Sequence, residues 1–139
     1  MATYNKFNQF TKDLIDGVHD FDAHTFKVML TNTAPVATNS VKADVTEITA
    51  GSGYTAGGPT TTITTSTATG TAKVTGTDVV VTSSGTVGPF RYAVLYNDTP
   101  TSPAKPLIAW WDYGSSITLN ASESLTVDFD ATNGILTVA

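Results

Sequence analysis

The sequence predicts a mainly β domain, either an antiparallel β-sandwich or a small barrel of about eight strands, with one N-terminal α-helix. Threonine, which is β-branched and favours strands, is abundant, whereas charged residues make up only 14% of the chain. Short apolar segments broken by glycine and proline recur from residue 60 onward. The 139 residues fit one domain covering 1–139, and the absence of cysteine excludes disulfides and thiolate sites.

The helix is predicted over residues 4–18, where apolar side chains recur at helical spacing. This apolar stripe consists of Tyr4, Phe7, Leu14, Ile15 and Val18. Phe10 lies at the edge of the stripe. Thr3 has the chemistry of an N-cap, and Gly17 stands where a left-handed cap is expected. We expect Tyr4, Phe7, Leu14 and Ile15 to pack this helix on the β-structure.

A buried strand, Thr25–Thr31, is predicted to follow the helix, and a long polar segment, Asn32–Pro59, comes next. Within that segment Val41–Ile48 is predicted to form one or two helical turns, and the remainder is loop. Loops of this length in compact domains are usually functional or held by a partner. We therefore expect neighbouring molecules to help order it.

The second half of the chain reads as a series of strands separated by turns. They are Thr60–Thr67, Thr71–Val74, Asp78–Ser83, Phe90–Tyr96, Leu107–Tyr113, Ile117–Leu119, Leu125–Phe129 and Ile135–Val138. Phe90–Tyr96 and Leu107–Tyr113 are apolar on both faces, which predicts central strands. Asn133-Gly134 is a two-residue turn signal and predicts a hairpin between the last two strands. The predicted core consists of Phe90, Tyr92, Val94, Leu107, Ala109, Leu125, Val127, Phe129, Ile135 and Leu136.

The charge pattern disfavours two classes of partner. The net charge is −5, and the seven basic residues are scattered along the chain without forming a cluster. Nucleic acids and anionic membranes are bound through clustered Lys and Arg, so neither is expected as a partner. No apolar stretch approaches the roughly 20 residues of a membrane span, and Met1–Lys6 lacks the apolar core of a signal peptide.

Two short segments carry residue types suited to metal ions. His19, Asp20, Asp22 and His24 have zinc-ligand chemistry, but their spacing matches no established ligand pattern, which favours a solvated connector. Asp128–Gly134 resembles a calcium loop, but its glycine comes one position too late, and the predicted hairpin explains Asn133-Gly134 without a metal. We expect no metal at either segment.

The sequence contains no nucleophile elbow, phosphate-binding loop or dinucleotide fingerprint. Two histidines and no cysteine leave few ways to build a nucleophile–base pair. Two facing carboxylates would suffice for a glycosidase, but Asp and Glu are not clustered along the chain. We therefore expect a protein that is not an enzyme, with no catalytic residues and no cofactor.

Two residue groups suggest binding surfaces. Trp110-Trp111 has aromatic neighbours in the same two predicted strands. Two interpretations are open: the rings form a sugar-stacking platform, or one tryptophan belongs to the core and the other to a subunit contact. Those neighbours are Phe90, Tyr92, Tyr96 and Tyr113. Adjacent residues of a strand point to opposite faces, so at most one tryptophan shares a face with Tyr113. The Thr-rich run Thr60–Thr69 suggests an ice-binding array, but no fixed repeat accompanies it, which favours an exposed or edge strand.

Several segments together resemble a family of small virion proteins of tailed bacteriophages and prophages. They are TFKVMLTNTAP (residues 25–35), GSGYTAGG (51–58), GPFRYAVLYNDT (88–99), LIAWWDYG (107–114) and LTVDFDATNGIL (125–136). The resemblance runs in order over nearly the whole chain and supplies no catalytic residues. It implies a structural protein of the virion, made in the bacterial host cytoplasm, whose partners are the major capsid protein or other virion proteins and copies of itself.

Within the virion, the expected role is capsid decoration, in which many copies cement the head shell, with a homotrimer at capsid three-fold positions as the expected assembly. The alternative is a tail or fibre component, with receptor-carbohydrate binding through the aromatic residues. A soluble carbohydrate- or ice-binding module comes third.

Overall fold

The computed structural model describes residues 2–139 and contains ten strands, one α-helix and one short 3-10 turn. The helix is α1 (Asn8–Ile15), and the 3-10 turn covers Lys42–Asp44. The strands are β1 (Thr3–Lys6), β2 (Phe26–Thr31), β3 (Thr60–Thr61), β4 (Ile63–Ala68), β5 (Thr71–Gly76), β6 (Val79–Thr82), β7 (Val87–Asn97), β8 (Leu107–Leu119), β9 (Ser124–Val127) and β10 (Leu136–Val138). The mainly β class is confirmed. The described strands form three antiparallel sheets that resemble a sandwich and do not close into a barrel.

The largest sheet has five strands in the order β1-β8-β7-β2-β3. Its two long central strands, β7 and β8, contain the segments Phe90–Tyr96 and Leu107–Tyr113 that were predicted to be central. The separate strand predicted at Ile117–Leu119 is instead the end of β8, which continues past Gly114. This strand is continuous because its pairing with β7 resumes beyond a bulge, at Ile117 with Phe90.

The two smaller sheets have the orders β10-β5-β4 and β6-β9, so the hairpin predicted at Asn133-Gly134 is wrong. The Asp130 Oδ1 atom accepts the N–H groups of Thr132 and Asn133 at 2.8 and 2.9 Å, which forms an Asx turn. Gly134 then adopts a φ of +82° against the Val74 carbonyl, where a Cβ atom would approach the carbonyl oxygen to 2.6 Å. The turn therefore directs the chain across the molecule from β9 to β5.

The N-terminal helix is shorter than the predicted span of residues 4–18. Tyr4 belongs to β1, where it pairs with Trp111, and the N-cap of α1 is Phe7, so Thr3 is not the cap. In this arrangement the four residues Thr3–Lys6 pair with the edge of β8 instead of extending the helix. Ile15, predicted to pack, is 81% exposed, whereas Phe10 is buried. Gly17 has a φ of +75°, as the left-handed cap predicts.

The core consists of three apolar clusters. The first packs α1, the large sheet and the chain's C-terminal part through Phe10, Phe26, Val28, Leu95, Ile108, Phe129 and Ile135. The second, on the opposite sheet face, includes Phe7, Met29, Val94, Tyr96, Leu107 and Trp110. The third lies at one end and includes Leu30, Tyr54, Val81, Val87, Phe90 and Leu119. Of the predicted core, Tyr92, Leu125, Val127 and Leu136 are only half-buried; the other six are buried.

The segment of residues 32–59 is held by contacts within the chain. The buried Tyr54 hydroxyl donates to Glu47 Oε1 at 2.7 Å and accepts the Leu30 N–H at 3.0 Å. Glu47 also accepts the Gly57 N–H at 2.5 Å and pairs with Lys42 at 2.7 Å. Burial raises the pKa of Glu47, but these hydrogen bonds outweigh it and hold the pKa below its usual value. The chain itself therefore supplies hydrogen bonds and an ion pair that hold this segment.

The helix α1 has eight residues. Among residues 2–139, no helix has the length and apolar character needed to cross a membrane.

Candidate functional site

A cleft of about 750 Å³ lies between one face of the large sheet and the segment of residues 125–131. Tyr4 of β1, Ala93 of β7, and Trp111 and Tyr113 of β8 line it on the sheet side. The volume falls within the range of small-molecule binding sites, roughly 300–1,000 Å³. Its lining combines aromatic and polar residues.

The strand register explains why aromatic residues gather on this face. Tyr4 pairs directly with Trp111 across β1 and β8, and Tyr113 lies two residues beyond Trp111 on the same strand. Side chains paired across strands and at alternate positions share a face, so the three rings lie together. Trp110 points to the opposite face and packs on Phe7, with ring centroids 4.5 Å apart. The prediction that the two tryptophans face opposite sides is confirmed.

Two ring contacts fix the position of Trp111. Its ring lies 5.6 Å from that of Tyr4 and 5.4 Å from that of Phe129, edge-on in both cases. Tyr4 is 42% exposed and Tyr113 is 58% exposed. A half-buried, packed indole with two accessible phenol rings beside it forms a preorganised apolar surface.

An ion pair borders the aromatic surface. Arg91 donates hydrogen bonds from Nε and Nη2 to the two carboxylate oxygens of Asp112, at 2.7 and 2.9 Å. The Gly114 N–H also donates to Asp112, at 2.8 Å. The Arg91 hydrogen bond is the main cause that holds the pKa of Asp112 below its usual value. The positive charge of Arg91 is therefore neutralised within the chain.

The opposite wall of the cleft carries two further carboxylates. Asp130 is occupied by its Asx turn, and the Asn133 N–H is the main cause that lowers the pKa of Asp130. Asp128 is exposed and takes part in none of the ion pairs formed among residues 2–139. The cleft thus presents ring faces and phenol hydroxyls, with two carboxylates at the margin of its second wall.

The other aromatic residues of the predicted platform lie in different surroundings. Tyr96 is fully buried under the 32–59 segment, where its hydroxyl donates to the Gly57 carbonyl at 2.8 Å, and burial raises its pKa. Phe90 is buried and is one of the residues that line the cleft. Tyr92 is half-buried, with the Arg91 guanidinium 5.3 Å from its ring. Tyr4 was missed because the sequence placed it in the helix, and its partner Trp111 is distant along the chain.

Both histidines of the His19–His24 segment contact the side-chain amide of Asn97. Asn97 Nδ2 lies 3.2 Å from His19 Nδ1 and 2.9 Å from His24 Nδ1. The amide can donate to both nitrogens, so it links the 19–24 connector to the end of β7. Burial is the main cause that lowers the pKa of His19 to about 4; the negative charge of Asp13 opposes this lowering, and repulsion by His24 adds to it.

The acidic residues of the same segment have structural contacts. Asp20 Oδ1 accepts the N–H groups of Asp22 and Ala23 at 3.0 and 3.1 Å and so closes a local turn, while Asp22 is exposed. Asp13 of α1 is buried near His19. Within residues 2–139, no three side chains of the metal-ligating types converge on one point.

The fold and the cleft define a β-sandwich-like protein with an aromatic-lined concave surface and an extended Thr-rich edge. No protein-family model, curated protein or solved structure matches the chain.

Proposed function

We propose that the protein is a non-enzymatic structural component of a tailed-bacteriophage virion, which acts by packing against other copies of itself and other virion proteins. The family resemblance of the sequence motivates the setting. The exposed edge of β4 is the structural observation that best supports a role in assembly.

β4 lies at the edge of the sheet β10-β5-β4, so one side of its backbone has no strand partner within the described chain. Its residues from Thr64 to Ala68 are all exposed. Proteins usually protect such an edge with charged residues, proline or a bulge. Between Thr60 and Thr77 the only charged residue is Lys73, which lies on β5 and donates to the Thr132 carbonyl at 2.9 Å. An uncharged, unprotected edge suits the addition of a strand from a neighbouring molecule.

Capsid decoration is the role we favour within the virion. A decoration protein acts by multiplicity, because each copy adds a modest interface at many equivalent sites on the shell. In a head-to-tail homotrimer, the β4 edge of one copy contacts a different surface of the next, and three such contacts close a ring. The partners are then a second copy of this chain and the major capsid protein, on a particle assembled in the bacterial cytoplasm.

A charge placed on the β4 edge tests the assembly role. Thr67→Lys should leave the monomer folded but prevent association, because Thr67 is exposed opposite Ala72 and lysine is a natural blocker of edge pairing. Thr49→Lys, at an exposed loop position, is the matched control. Molar mass by light scattering and incorporation into particles are the measurements. Equal association and incorporation of both variants would contradict a role for this edge.

A tail or fibre component is the second candidate, and the aromatic cleft is the observation that favours it, because host contact requires a binding surface. Particles lacking the protein discriminate between the two. A decoration protein predicts assembled heads that burst at lower temperature than complete ones. Heads of full strength on particles that no longer adsorb to host cells would instead support the tail or fibre placement.

A further inference from the structure

We infer that the cleft lined by Tyr4, Trp111 and Tyr113 is a binding site for a neutral saccharide. This inference goes beyond the structural role and does not depend on where in the virion the chain resides. It rests on the shape, the accessible rings and the charge of the cleft.

The rings are accessible because their neighbours on the sheet face are small. Ala93 of β7 pairs with Trp111 on the side opposite Tyr4, and Ala2 also lines the cleft. Neither methyl group can cover an indole or phenol ring. The edge contacts of Trp111 with Tyr4 and Phe129 hold the rings before any ligand arrives. The apolar C–H face of a pyranose can pack on such a surface without ordering it first.

The polar groups of the cleft can form hydrogen bonds with the hydroxyl groups at the edge of a sugar ring. Asp128 is exposed in the segment that forms the opposite wall, whereas Val127 and Phe129 on either side of it pack inward, so its carboxylate lies at the outer margin of the cleft. There it can accept hydrogen bonds from sugar hydroxyls. The phenol hydroxyls of Tyr4 and Tyr113 can both donate and accept. Apolar faces with a small number of polar groups at their margin are the usual composition of a small-molecule site.

The charge of the cleft selects against anionic ligands. Asp128 and Asp130 line one wall, and the one basic residue among the lining residues, Arg91, is already bound to Asp112. A sialic acid, uronic acid or phosphate-bearing glycan would bring a further negative charge beside these carboxylates. A neutral hexose or N-acetylhexosamine polymer carries no such penalty.

The concave shape favours a saccharide over a second protein. Stable protein interfaces bury roughly 1,200–2,000 Å² in total and are generally broad. Here the apolar surface is confined to one cleft of about 750 Å³, and Trp111 lies half-buried within it. A short oligosaccharide fits this geometry, whereas a flat protein face does not reach Trp111.

Calorimetric titration of the purified protein tests the inference directly. The probes are hexasaccharides of glucose, mannose and N-acetylglucosamine, with sialyllactose as the anionic probe. We expect at least one neutral probe to bind and sialyllactose not to bind. Tyr113→Ala should weaken binding about three- to tenfold, the factor that corresponds to one aromatic contact. Tyr113→Phe keeps the ring and should retain most of the affinity.

Two further variants complete the design. Asp128→Asn should weaken binding, because it replaces a charged acceptor with a neutral one. Ile15→Ala, an exposed position outside the cleft, is the control and should bind as the wild type does. Both Tyr113 and Asp128 are exposed, so their variants should fold normally.

Three outcomes would overturn the inference. The first is no binding of any neutral probe at millimolar concentration. The second is binding that Tyr113→Ala and Asp128→Asn leave unchanged, which would place the sugar elsewhere. The third is a change of oligomeric state in Tyr113→Ala without sugar binding by the wild type, which would make the cleft a contact between protein copies.

Discussion

Protonation of His19 should destabilise the folded protein at mildly acidic pH. The side chain is only 7% exposed, and burial lowers its pKa from 6.5 to about 4. In the unfolded chain the imidazole takes up a proton near pH 6.5, whereas in the folded protein it stays neutral until about pH 4. Between these two values the unfolded state binds more protons, so the free energy of unfolding falls as the pH falls.

The size of this effect follows from the pKa difference. One pKa unit corresponds to about 1.36 kcal/mol, so the shift from 6.5 to about 4 sets an upper value of about 3 kcal/mol. Lowering the pH from 7.5 to 4.5 covers most of this range, and we expect a loss of about 2 kcal/mol from this group. Well above pH 6.5 the imidazole is neutral in both states and the destabilisation is absent. For a domain with a total stability of roughly 5–15 kcal/mol, the loss is large.

Urea unfolding followed by circular dichroism, at several pH values from 7.5 to 4.5, measures the effect. His19→Gln removes the titrating group, and the difference in pH dependence between wild type and variant isolates His19 from carboxylates that titrate in the same range. His24→Gln, at the half-buried neighbour on Asn97, is the control. The reasoning is refuted if wild type and His19→Gln lose stability equally, or if an NMR titration shows His19 protonating near pH 6.5.

Four further perturbations test the packing, the loop and the expected absence of metal. Ile108→Ala, at a fully buried position, should cost about 2–5 kcal/mol of unfolding free energy, and Leu125→Ala, at a half-buried one, about 1–2 kcal/mol. Equal costs in urea unfolding would contradict the burial pattern. Glu47→Ala leaves the buried Tyr54 hydroxyl without its acceptor and should cost about 1–3 kcal/mol, with faster proteolysis within residues 32–59; unchanged proteolysis would show that Glu47 does not anchor the loop. Chelator should leave the melting temperature unchanged, and a drop of several degrees restored by zinc or calcium would reveal a structural metal site.

The sequence predicted those elements whose signal is local. β2, β7 and β8 were identified because their apolar residues are contiguous. A strand that is apolar on both faces is buried whichever face it turns to a neighbouring layer. Gly17 was placed correctly because a left-handed cap depends on one residue's own backbone freedom. The division of strands among sheets was not predictable, because pairing such as β10 with β5 joins segments far apart in the chain.

The errors came from local signals that distant contacts override. Tyr4 and Phe7 have helical spacing, but Tyr4 gains a strand partner in Trp111. Asn133-Gly134 has the composition of a hairpin, but the Asp130 carboxylate turns the chain away instead. The cleft was only partly predicted for the same reason: its second wall exists only once the 125–131 segment has crossed over the sheet.

The opposite orientation of the two tryptophans gives the protein two separate optical reporters. Trp110 lies in the apolar cluster with Phe7, whereas Trp111 lies at the cleft beside Tyr4. Indole emission depends on the polarity around each ring, so Trp111→Phe leaves a fluorophore that senses the interior. Trp110→Phe leaves one that senses the cleft. The intrinsic fluorescence of these two variants therefore reports separately on unfolding of the interior and on occupancy of the cleft, without any attached dye.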